Sequence, residues 1–214
     1  MASREGSGCG CRAWFLGLCL VLLLMSGASL SVVEGGKFPV LFPVAPCARA
    51  ASSFDVVGSP SICADLIDRV LAAYHSPASG EGQHLYGDGV AVGIDPVFAL
   101  AFFMHEDTFG LYGWGAANHS LGNIRCTPGY RCQGGYRAYA AWDDGFKDWY
   151  QLVRDQYVDR WGLRTVDRII PVYAPSADHN DVCAYINAVK VAVATWRAGR
   201  IVVSVSGSAC MASR

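Results

Sequence analysis

The sequence predicts a mainly α-helical globule that carries one short irregular lobe with a β-hairpin, preceded by an N-terminal signal or anchor helix. Three observations lead there. Apolar residues recur at helical spacing in several separate segments. Glycines, aromatics and turn residues gather between Gly110 and Tyr139. A long uncharged apolar run occupies the N-terminus. At 214 residues, 52% of them apolar, the chain can bury a substantial core in one domain.

Arg4 and Arg12 precede the apolar run Ala13 to Met25, and Ser26 and Ala28 then stand where a signal peptidase prefers small residues. This is the pattern of a secretory signal cut near Ala28. The uncharged stretch continues to Val33, long enough to span a bilayer if it is not removed. Residues 1–33 therefore read as a signal peptide or a membrane anchor, and the rest of the chain as extracytoplasmic, secreted or anchored. Cys19 lacks the preceding small residue of a lipoprotein signal. Residues 34–58 hold proline, alanine and serine without periodicity and read as a linker. Residues 59–199 form the predicted domain and 200–214 a peripheral tail; no internal repeat is present.

Within the domain, Ser59 and Pro60 offer a cap and a first helical residue, followed by Ile62, Leu66, Val70 and Tyr74 at every fourth position. A short second helix spans about Gln83 to Val92. A third starts with Asp95 as cap and Pro96 behind it, and Gly110 can take the left-handed position that ends it. The lobe follows, with a hairpin expected in NIRCTPGYRCQGGYRAY. A long helix from about Trp142 to Trp161 carries Phe146, Trp149, Tyr150, Val153 and Tyr157 on one face. TVDRIIPVY should break near Pro171. In the last helix Val182, Tyr185, Ile186, Val189, Val193 and Trp196 share one apolar stripe, and Gly199 closes it.

The formal net charge of -1 gives no basic field, which argues against nucleic acid as a partner; a membrane is expected only through the N-terminal segment. Of the nine cysteines, Cys9, Cys11 and Cys19 belong to the leader, and the remaining six suit an oxidising compartment. Cys126 and Cys132 flank the turn TPGYR and form the best disulfide. Cys47 with Cys63 and Cys183 with Cys210 are weaker pairings. No paired C-x-x-C spacing suggests zinc, and no metal or cofactor is expected.

The chemistry centres on AFFMHEDTFG, residues 101–110. Glu106 lies in the last turn of an almost wholly apolar helix, over Phe102 and Phe103. Low polarity and the negative end of the helix dipole both oppose its ionisation, which is how a general acid is kept protonated. Such an acid can equally be a solvated helix end. The lobe adds Tyr112, Trp114, Tyr130, Tyr136 and Tyr139, aromatic faces suited to stacking on sugars. A zinc-protease reading of His105-Glu106 fails because Phe109 stands where the second histidine is needed. Asp178 to Asp181 reads as a helix cap rather than a cation loop. No nucleophilic serine elbow or Cys and His pair is evident.

Asp95 to Gly199 resembles the glucosaminidase family, glycoside hydrolase family 73, a mannosyl-glycoprotein endo-beta-N-acetylglucosaminidase-like domain of the lysozyme-like superfamily. Four blocks in family order carry the resemblance: FALAFFMHEDTFG, SLGNIR, YRAYAAWDDGFKDW and IIPVYAPSADHNDVCAYI. It implies a lysozyme-like fold and an exported enzyme that cuts peptidoglycan or related N-acetylglucosamine glycans, expected as a monomer. Residue by residue, it makes Glu106 the general acid and places Tyr139 near the reacting sugar. It sets Asn123 and Tyr173 along the substrate cleft. The stacking argument adds Trp114 and Tyr136.

One departure is chemical. Many relatives carry a second acid in the irregular lobe, yet no Asp or Glu occurs between Thr108 and Trp142. Asp107 should point off another side of its helix, and Asp143 and Asp144 begin the next one. Hydrolysis would then rest on a single acid or on the substrate's own N-acetyl group. The alternatives are a lytic transglycosylase and a cell-wall glycan-binding module that does not cut.

Overall fold

The computed structural model describes residues 53–204. The leader, most of the linker, Cys47, Cys210 and the end of the tail lie outside the described residues. Mainly helical architecture is observed, with one two-stranded sheet: α1 Ala64–Ala73, α2 Gly82–Val92, α3 Pro96–Asp107, α4 Gly115–Asn118, β1 Cys132–Gln133, β2 Tyr136–Arg137, α5 Trp142–Gln151, α6 Val166–Tyr173 and α7 Val182–Arg197. Among the described residues no helix is long and apolar enough to cross a membrane.

The apolar α3 is the central helix, as its composition predicts. Every residue from Pro96 to Phe103 is buried, and α2 and α7 pack against it. Asp95 fixes its entry. One carboxylate oxygen accepts the Val97 N–H at 3.2 Å and the Ser61 N–H at 3.0 Å, and the other receives Arg197 Nη2 at 3.0 Å. Asp95 and Arg197 are only 3% and 6% exposed at the side chain, so this is a buried ion pair with hydrogen bonds on both partners, which offsets the desolvation cost. It ties the start of α3 to the end of α7.

That network corrects the expected start of the first helix. Ser61 is held on Asp95 through its amide and on Arg197 through its hydroxyl, so Ser59 to Cys63 stay extended and bent, and α1 begins at Ala64 behind Cys63. Residues 54–58, placed in the linker by the sequence, pack on the domain. Val56 is buried; its amide bonds the Arg164 carbonyl at 2.8 Å and its carbonyl accepts from Asp95 at 2.9 Å.

The end of α3 also differs. Thr108, not Gly110, takes the left-handed cap at φ 52°, and Phe109 follows at φ 59°. The strain at two non-glycine residues accompanies complete burial of the Phe109 ring against Tyr74 and Trp196. Gly134 and Gly135, both at positive φ, form the two-residue turn of the expected hairpin, in which Cys132 pairs with Arg137 and Gln133 with Tyr136.

The helix expected from Trp142 to Trp161 changes winding midway. After α5 the chain continues as a π-helix over Leu152–Arg160. The wider turn places Leu152, Gln156 and Tyr157 along one side, a feature that residue spacing of 3.6 does not encode. Pro171 lies inside α6, which runs two residues further than expected. Proline forfeits one bond, to the carbonyl of exposed Asp167, while buried Val166, Ile169 and Ile170 keep the helix docked on α7. The disulfide Cys126–Cys132 is present. Cys63 and Cys183 are also disulfide-bonded, and the cysteines expected to pair with them lie outside the described residues.

Candidate active site

Glu106 sits half-buried in the last turn of α3, at a cleft of about 570 Å3. Each of the four sequence blocks that carry the family resemblance contributes to its lining. The first supplies Glu106, the second Asn123 to Arg125, the third Tyr136 and Arg137, and the fourth the run from Val172 to Pro175 with Asp178 and Asn180. The π-helical segment adds Leu152, Gln156 and Tyr157. Segments separated by up to about seventy residues thus line one cleft.

Burial pushes the Glu106 carboxyl above the usual carboxylate range, and hydrogen bonds from Tyr185 and Asn123 offset part of that rise. Tyr185 Oη donates to Glu106 Oε1 at 2.6 Å. Its ring, 2% exposed, stacks on His105 and packs on Phe102, so the donor has a fixed direction. Asn123 reaches the same carboxyl from a backbone at φ 44°, a left-handed position that asparagine tolerates better than most residues. The net result is an acid that leans toward its protonated form and has an oriented second oxygen.

Tyr173 forms a fixed wall. Its hydroxyl donates to the Gly122 carbonyl and accepts from Trp149 Nε1 at 3.1 Å, and burial drives its acidity well down. The ring stands edge-on to Phe102, which joins it to the core. Gly122 allows this meeting because a Cβ there would come within 2.2 Å of Trp149.

The chain is similar to the crystal structure of peptidoglycan hydrolase from Sphingomonas sp. A1, at 13% identity and a TM-score of 0.44, over 68% of this chain and 99% of that one. No family model and no curated protein matches the chain.

Of the site residues expected from sequence, Glu106, Asn123, Tyr136 and Tyr173 all line the cleft. Tyr139 and Trp114 are placed elsewhere. The Tyr139 hydroxyl donates to Asp148, which also receives Arg137 Nη1 at 2.7 Å and Tyr130 Oη at 3.0 Å. Burial pushes the Tyr139 hydroxyl far up, so it is a poor proton source in this setting. Its contact with the cleft runs through Asp148 to Arg137. Trp114 is 43% exposed and lies against Gly134 of the hairpin turn, where a Cβ would fall within 2.3 Å of its ring.

The other acids near the site are accounted for. Asp107, buried on a different side of α3, accepts the Gly110 N–H at 2.7 Å. Asp143 is held by Lys147 on α5 and hydrogen-bonds Asp88 on α2. His119 hydrogen-bonds the Tyr139 carbonyl and meets Trp142 edge-on. Among the described residues no group of three His, Cys, Asp or Glu side chains is arranged to hold a metal ion.

Two residues of the site, Tyr185 behind Glu106 and Asp178 in the cleft, escape sequence reasoning. Tyr185 reads as part of the apolar stripe of the last helix; its signal was a phenol on an otherwise aliphatic and indole face turned toward α3. Asp178 reads as part of a cap. The capping is done by Asp181, whose carboxylate accepts the Ala184 N–H at 2.9 Å, which leaves Asp178 to the cleft.

Proposed function

We propose that this chain is an exported, lysozyme-like endo-beta-N-acetylglucosaminidase acting on peptidoglycan or a related N-acetylglucosamine glycan, with Glu106 as general acid. The observation that carries the reading is that all four glucosaminidase-like blocks line the cleft that holds Glu106, whose carboxyl burial inclines toward the protonated form. Protonating a glycosidic oxygen needs a carboxylic acid with a raised pKa at the edge of a cleft that holds sugars. Tyr136, Tyr157 and Tyr173 supply aromatic surface beside it, and Asn123, Gln156 and Asn180 supply amides for hydroxyl and acetamido groups. Tyr139 supports the site as a positioning residue, holding Asp148 and through it Arg137. The Cys126–Cys132 disulfide within the lobe fits an oxidising, extracytoplasmic setting.

Glu106→Gln, which keeps the shape of the side chain, should lower the release of reducing ends from purified peptidoglycan by about 10²- to 10⁴-fold, the usual worth of general-acid catalysis. A folded variant with wild-type turnover would remove the assignment. Anhydro-sugar products from the wild type would make it a lytic transglycosylase instead. Tight glycan binding without turnover from pH 4 to 8 would make it a binding module.

A further inference from the structure

The structure points to a partner for Glu106 outside the irregular lobe. Only two carboxylates line the cleft among the described residues, Glu106 and Asp178. Asp178 ends the single 3-10 turn Ser176–Asp178 that follows Tyr173 to Pro175, so a segment with no core role carries it to the cleft. Its fixed contact is an ion pair with Arg125, at 2.9 Å, from the lobe. That pair is open to solvent, with side chains 39% and 75% exposed, and an exposed pair constrains its members only weakly. Asp178 can therefore turn from the guanidinium to a water in the cleft.

The two environments differ as the two roles of a glycosidase differ. Glu106 is the more buried of the two, and its carboxyl is already bonded by Tyr185 and Asn123. Asp178 meets solvent and carries no bond from the core. An inverting glycosidase needs such a division: one shielded acid at the leaving oxygen and one solvated carboxylate at the incoming water.

We propose that Asp178 is the second catalytic residue, the general base that activates water. This rests on the proposed function above. As the water oxygen bonds to the anomeric carbon, Asp178 takes its proton. The bond from the anomeric carbon to the glycosidic oxygen breaks, its electron pair stays on that oxygen, and Glu106 delivers the proton there. One water is consumed and the two carboxyl groups exchange charge. Release of product and a return proton transfer restore them.

The test compares Asp178→Asn with Glu106→Gln on soluble peptidoglycan glycan strands, with azide added in a second arm. Asp178→Asn should lose about 10²- to 10⁴-fold in kcat, keep its thermal transition because the exposed pair contributes little, and bind the strands as the wild type does. Azide should restore cleavage to Asp178→Asn and not to Glu106→Gln, with a glycosyl azide as product. Proton NMR of the first wild-type product should show the inverted, α anomer. Near-wild-type turnover in Asp178→Asn, or a β anomer formed first, overturns the role of Asp178 while leaving Glu106 in place. Wild-type turnover in Glu106→Gln, or none in the native protein, overturns the reading beneath both.

Discussion

Tyr185 of α7 donates its hydroxyl proton to Glu106 of α3 across 2.6 Å, and it does so from a ring clamped between His105 and Phe102. The bond joins two helices packed against each other at the point where the core reaches the cleft. It also works against burial: desolvation raises the Glu106 pKa, and a donor to the carboxylate stabilises the charged form and lowers it. Tyr185 therefore sets how far the acid is raised, besides where it points.

Tyr185→Phe removes the donor and keeps the ring. The Glu106 pKa should rise further, so the descending, high-pH limb of the kcat/KM profile should move to higher pH. At the optimum kcat should fall by about tenfold as the carboxyl loses its orientation. A residue that only fills space would lower activity without moving the limb, so the pH profile decides between the two.

The helical plan was legible because it is written in spacing. Pro96 behind Asp95, then an unbroken apolar run, could only be a buried helix, and the four blocks that surround Glu106 were each visible as local patterns. What was not legible depends on contacts between distant segments. Nothing near Ser61 announces that Asp95 and Arg197 will hold it out of α1. The π-helical winding that presents Gln156 and Tyr157 has no signature in apolar periodicity. The resemblance set Tyr139 near the reacting sugar; that its hydroxyl turns to Asp148, nine positions on in the same block, is not encoded in spacing. Asp178 was hidden inside a string of polar residues in which one neighbour, Asp181, does the capping.

Asp107 gives the fold a pH dependence of its own. One oxygen accepts from Gly110, the other is buried without a hydrogen-bond partner, and burial pushes the group up to about 7. In the unfolded chain an aspartate titrates near ~4. Between those values the native state holds a proton that the unfolded state has lost, so the contribution is complete below about pH 4 and disappears as pH rises through about 7. Thermal midpoints should therefore decline from about pH 4 to 7 and level off above that. Asp107→Asn keeps the acceptor for Gly110 and should flatten that decline; Glu106, raised in the same direction, leaves a residual slope. An unchanged slope in the variant would show that Asp107 ionises freely in the native protein.

Gly122 joins core packing to the cleft. Its carbonyl receives the Tyr173 hydroxyl, its neighbour Asn123 reaches Glu106, and a Cβ would lie 2.2 Å from Trp149 Cδ1 and 3.1 Å from Phe103 Cε1. Trp149 cannot yield, because it is 1% exposed and held edge-on by Phe102, Phe103 and Tyr150. Gly122→Ala must therefore move the backbone, at about 1–3 kcal/mol for an overpacked core, which lowers the melting temperature by roughly 2–4 °C per kcal/mol. Activity measured well below that transition should fall too, since the shift carries Asn123 and the Tyr173 anchor with it. Gly87→Ala is the control: a Cβ there meets nothing within 4 Å inside α2, and alanine should stabilise the helix by about 0.5–1 kcal/mol. If Gly122→Ala melts and turns over like Gly87→Ala, the close approach of Gly122 to Trp149 does not shape the site.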